Sequence, residues 1–125
     1  TLYSLVIPGG TIKANGALRI LPIFSFTGST NLKTFRVKLG GTEFLLSSSA
    51  TAANIAYSVF LTIRNRNSQS VQIAGNLYGG FGMHNVALIT GTVDTSVDQT
   101  LAITGQLALG TETITLESVV VEVIR

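Results

Sequence analysis

The chain has no cysteine, a single histidine, and charged side chains at only 11% of its 125 positions. Without cysteine there is no disulfide framework, no thiolate metal cluster and no cysteine nucleophile. The one histidine, His84, would have to serve any Ser-His-Asp arrangement, yet no Gly-x-Ser-x-Gly surrounds a serine, and His84 reads as a structural or surface residue. Acids are equally scarce. Asp94 and Asp98 in "TVDTSVDQTL" lack the glycine and bidentate glutamate of a calcium loop and read as turn caps rather than metal ligands. Glu112 and Glu122 share one strand parity and Glu117 takes the other, so no carboxylate pair for glycoside hydrolysis follows. No glycine-rich segment has the spacing of a phosphate cradle. The reading is a non-enzymatic chain without cofactor or metal.

Long apolar runs are missing too, although 46% of the residues are hydrophobic. Every strand-like segment is interrupted far short of the roughly 20 residues that span a bilayer, so membrane insertion is not expected. The sequence pI near 9.3 corresponds to a formal charge of only +2. Its cations, Lys13, Arg19, Lys33, Arg36, Lys38, Arg64, Arg66 and Arg125, are scattered, and nucleic-acid binding would want a denser patch. The length fits one domain over residues 1–125. The chain opens on Thr1 without a basic n-region or signal-like h-region and reads as a piece processed or excised from a longer chain.

What the chain does have is alternation. Apolar and polar residues exchange with period two almost throughout, and no stretch sustains the spacing of an amphipathic helix. The pattern predicts an all-β protein, a two-sheet antiparallel β-sandwich of eight or nine strands. Those strands fall near 2–8, 17–26, 33–39, 42–48, 55–65, 70–78, 85–91, 99–107 and 112–124. In "KTFRVKLGGTEFLL", Phe35, Val37 and Leu39 take one face and Thr34, Arg36 and Lys38 the other, around the turn pair Gly40-Gly41. Asn15-Gly16 is a second pair favoured in tight primed turns.

Two segments break the one-sided pattern. Residues 18–26 carry Leu18, Ile20, Phe24 and Phe26 against Leu21 and Ile23. Residues 119–124 carry Val120 and Ile124 against Val119, Val121 and Val123. Strands apolar on both faces need two covers, and a lone two-layer sandwich offers one. A homo-oligomer covered through Leu21, Ile23, Val119, Val121 and Val123 is the economical expectation.

Binding residues gather on loops held by rigid sheets. "YGGFGMHN" places Tyr78, Phe81, His84 and Asn85 together, aromatic rings beside an amide that suit the apolar face and hydroxyls of a sugar. "RNRN" offers Arg64 and Arg66 on one strand face, able to clasp an acidic sugar.

Taken in order, "NGALRI", "TGSTNLKTFRVKLGG", "TVDTSVDQTLAITGQL" and "ETITLESVVVEV" resemble the carboxy-terminal β-sandwich modules of tailed-bacteriophage fibre and spike proteins, with similar segments on phage head fibres. The resemblance implies a jelly-roll-like homotrimer on the virion. Such a module ends a fibre, is joined to other virion proteins through its N-terminus, and contacts a glycan or other receptor on the host surface. The chain lacks the acidic cluster of polysaccharide-cleaving spikes. Two alternatives stay open: a free-standing carbohydrate-binding module and a purely structural capsid decoration protein.

Overall fold

The computed structural model describes residues 1–77 and 89–125, and the described residues form ten strands and no helix. In chain order these are β1 (Tyr3–Ile7), β2 (Ala17–Phe26), β3 (Lys33–Leu39), β4 (Thr42–Ser49), β5 (Ala56–Ser58), β6 (Phe60–Asn65), β7 (Gln72–Leu77), β8 (Ile89–Gly91), β9 (Gln99–Leu107) and β10 (Ile114–Ile124). They build two antiparallel sheets. The first runs β1-β9-β3-β4. The second runs β10-β2-β6-β7-β8, with β5 also pairing β2. The protein is a two-sheet β-sandwich.

The period-two pattern sorts residues between the layers. Phe35, Val37 and Leu39 of β3 meet Leu18, Ile20, Phe24 and Phe26 of β2, with Leu61 and Ile63 of β6 and Leu101 and Ile103 of β9 in the same cluster. Its centre is aromatic. The Phe35 ring lies 4.7 Å from Phe24, 5.2 Å from Phe26 and 5.2 Å from Tyr57, tilted against each. Such offset contacts are worth somewhat more than the area they bury.

The β3–β4 hairpin closes through Gly40 and Gly41 at φ of 58° and 79°, two successive positive values that favour glycine and match a primed turn. A register shift after Val37 lets Phe44 and Leu45 both reach the core. Asn15-Gly16 behaves differently from expectation. Neither residue takes a positive φ, and the turn is instead Lys13–Gly16, closed by Gly16 N–H to the Lys13 carbonyl at 2.9 Å. Gly16 is required by crowding, since a Cβ there would lie 2.7 Å from the Ile124 carbonyl oxygen.

Polar residues tie both ends of the sandwich. At one end the Gln72 amide, 1% exposed, donates to Asn65 Oδ1 at 2.9 Å and to the Val93 carbonyl at 2.7 Å, and accepts from Val93 N–H at 2.8 Å. Asn65 in turn donates to Thr95 Oγ1 and to the Lys13 carbonyl, both at 2.9 Å. Buried amides satisfied in this way fix the relative position of three loops. At the other end the fully buried Lys33 lies 3.3 Å from Glu112 and donates to Ser29 Oγ at 2.6 Å, while Ser29 Oγ donates to Glu112 Oε2 at 2.6 Å. The Ser29 hydrogen bond, helped by Asn31 and Lys33 against the opposing effect of burial, holds the Glu112 carboxyl below its ordinary pKa.

Candidate functional site: the outer face of the β10–β2–β6 sheet

The two outer faces of the sandwich differ in kind. On the β1-β9-β3-β4 sheet, Arg36 points away from the core, donates from Nε to Glu43 at 3.0 Å and from Nη1 to Gln106 Oε1 at 2.7 Å, and has Lys38 two residues further along. That face is wet. On the other sheet, Leu21 and Ile23 of β2 point outward, with Val120 of β10 beside Leu21 in the register and Phe60 of β6 on its other flank. Ile23 and Val120 are each 47% exposed, so this apolar surface is only half covered by the chain that carries it.

A single residue shapes the surface. Pro22 lies in the middle of β2, which is flanked by β10 on one side and by β5 and β6 on the other. A proline has no N–H for the ladder and is ordinarily confined to sheet edges. Here the sheet gives way around it. Opposite Pro22, Val59 drops out of strand pairing and separates β5 from β6, and β10 carries a bulge between Leu116 and Ser118. The result is a groove of about 400 Å³ floored by Pro22 and Val59 and walled by Leu21, Ile23, Phe60 and Val120, with Ser58 and Ser118 at its rim. Beside it the Arg19 guanidinium stands 5.4 Å from the Phe60 ring centroid, a cation–π contact that keeps the charge on this face.

The same bulge corrects one expectation. Ile114 and Leu116 face the core with even numbers, the extra residue Glu117 shifts the parity, and Val119 and Val121 then pack against the core instead of the outer face. Val123 takes the core-side parity too but is 40% exposed near the strand end. The outward valine between Glu117 and Glu122 is Val120. Glu117 accepts a hydrogen bond from the Ser25 hydroxyl on β2.

Among the described residues, the remaining candidates are not brought together. Tyr78, Phe81, His84 and Asn85 lie outside the described residues. Arg64 and Arg66 are both exposed: Arg64 stands opposite Ala17 and Ile73 in its sheet, and Arg66 follows the end of β6, its N–H bonded to the Val71 carbonyl at 2.8 Å. Asp94 accepts from Ser96 N–H at 3.0 Å and from the Ser96 hydroxyl, bonds that lower its pKa, while Asp98 accepts from Gly9 N–H at 2.8 Å. Asp94 caps its own turn, whereas Asp98 ties its segment to the distant turn at Gly9. Among the described residues, no group of three or more His, Cys, Asp or Glu side chains comes together.

Reasoning from alternation alone missed Phe60, Ser58 and Ser118 as parts of one surface. The signal that could have found them is Pro22 itself, because a proline inside an otherwise continuous strand pattern marks a local break in pairing. Comparison with protein-family models, with curated proteins and with solved structures finds no match.

Proposed function

We propose that the chain is a non-enzymatic assembly module of a virion, a jelly-roll-type sandwich that trimerises at the end of a phage tail or head fibre and contacts a receptor on the host surface. One observation carries the assembly part: one outer sheet face intersperses its exposed Leu46 and Val6 with Arg36, Glu43 and Gln106, whereas the other gathers Leu21, Ile23, Phe60 and Val120 around a groove. Covering apolar surface yields about 25 cal/mol per Å² before the cost of association is subtracted. Identical neighbours are the cover that a symmetric fibre supplies, and the resemblance of the turn-and-strand segments to fibre and spike modules supports that source. Receptor contact falls to the exposed Arg64 and Arg66 and to the loop carrying Tyr78, Phe81, His84 and Asn85.

Size-exclusion chromatography with light scattering tests the assembly part directly. The expected mass is three times the 13.1 kDa chain mass without any ligand. A folded monomer across all concentrations overturns the proposal and leaves the free-standing carbohydrate-binding alternative. A glycan array on wild type and Phe81→Ala tests the receptor part, with binding lost in the variant. Retained binding moves the contact to Arg64 and Arg66.

A further inference from the structure

The outer face carries charge as well as apolar area, and the charge is ordered across the strands. Its acids belong to β10: Glu122 and, at the bulge, Glu117. Its bases belong to β2 and β6: Arg19 and Arg64. The register lays these out in rows. Ser118 stands beside Ile23, Val120 beside Leu21, Glu122 beside Arg19, and Thr62 flanks Arg19 on the far side. Directly opposed residues on one face are about 4.5–5.5 Å apart. Neither Glu122 nor Arg19 has an ion pair among the described residues, where the bridges are Lys33–Glu112 and Arg36–Glu43.

This arrangement discriminates between ways of stacking two copies. A rotation axis running across the strands would lay each strand over its own counterpart, acid strand on acid strand and basic strand on basic strand, at a cost from like charges. An axis running along the strands keeps every row at its own height and brings the β10 flank of one copy against the β2 flank of the next. Val120 then meets a neighbour's Leu21 and Glu122 meets a neighbour's Arg19, which its contact with Phe60 already holds on that surface. We infer that the groove-bearing face docks a second copy of this chain in that manner, about an axis parallel to the strands of the β10–β2–β6 sheet, with Glu122 of one subunit paired to Arg19 of the next. The inference rests on the assembly reading above and adds its symmetry and its contacts. A ring of three closed by such head-to-tail contacts uses one acidic and one basic flank per subunit, leaving none unmatched.

Charge reversal tests the pairing. Glu122→Arg and Arg19→Glu should each reduce the assembly to a single-chain mass, and the double variant should restore it. Circular dichroism and melting confirm that each variant is folded. If either single variant keeps the wild-type mass, or the double variant stays dissociated, the pairing is overturned while the assembly reading stands. A wild-type monomer removes both. The absence of cysteine gives a second readout independent of assembly strength. Mixed Glu122→Cys and Arg19→Cys chains should form a disulfide-linked heterodimer under mild oxidation, in excess of homodimers of either variant alone. Predominant Glu122→Cys homodimers would instead mean that β10 lies on its own copy, which overturns the axis.

Discussion

Phe35→Ala separates the inside of this sandwich from its outside. The ring is 1% exposed and touches three other aromatic rings at centroid distances of 4.7 to 5.2 Å. Truncating a buried phenylalanine typically costs about 3–5 kcal/mol, as lost transfer energy plus the cavity left behind. Each aromatic contact adds about 0.5–1.5 kcal/mol beyond area, so the upper half of that range is expected here. Against a domain stability of about 5–15 kcal/mol, this is a large share. In urea, with a slope of about 2 kcal/mol per molar, the midpoint should fall by about 2 M. Phe60→Ala is the matched control, because Phe60 is half-buried on the outer face. Its cost should fade on dilution, as association ceases to contribute. A loss below about 1 kcal/mol for Phe35→Ala, or equal, concentration-independent losses for both variants, would refute the assignment of the two rings to two different interfaces.

Three further outcomes follow from the polar ends and the turn. Gln72→Leu strands the Val93 N–H, the Val93 carbonyl and Asn65 Oδ1 in the interior, at about 1–3 kcal/mol for each buried group left unpaired, and should lower the melting temperature by about 10 °C or more. Glu112 has a depressed folded-state pKa, so its stabilising contribution is complete above the ordinary carboxylate value and is lost as pH falls through the folded one. Denaturation midpoints of wild type and Glu112→Gln should therefore differ at about pH 7 and converge near about pH 2; a constant difference would deny the clasp. At Gly40 a new Cβ would meet Gln99 Oε1 at 2.5 Å and Val93 Cγ1 at 2.9 Å, whereas at Gly41 it would meet nothing within 4 Å. Both have positive φ, so Gly40→Ala should destabilise more than Gly41→Ala, the excess in calorimetry measuring the clash alone.

The strands were legible because one-sided burial writes itself as alternation, and in "KTFRVKLGGTEFLL" Phe35, Val37 and Leu39 are buried while Arg36 and Lys38 are partly exposed, although Thr34 on the face read as wet and Lys33 are buried as well. Where the sheet is regular, parity carries over from sequence to space. It fails wherever the ladder is broken. The single strand expected over 55–65 is two, β5 and β6, because Val59 opposes a proline. The valines of β10 change sides because Glu117 is an extra residue that no alternation rule announces. The ion pair of Lys33 with Glu112 and the amide network of Gln72 join positions far apart in the chain, a juxtaposition that topology creates and local pattern does not contain. The groove was hidden for the same reason: it exists only where three neighbouring strands lose register together.

The bulge beside Pro22 also bears on how copies of this chain avoid each other while still immature. Among the described strands β10 is an outermost one, rich in β-branched residues and sparing in charge, and a smooth ribbon of that composition is the kind that recruits foreign strands into fibrils. Displacing Glu117 from the ladder kinks that ribbon partway along and interrupts the flat template. An irregularity that opens a groove on the broad face thus also interrupts the rim strand as a template for foreign strands.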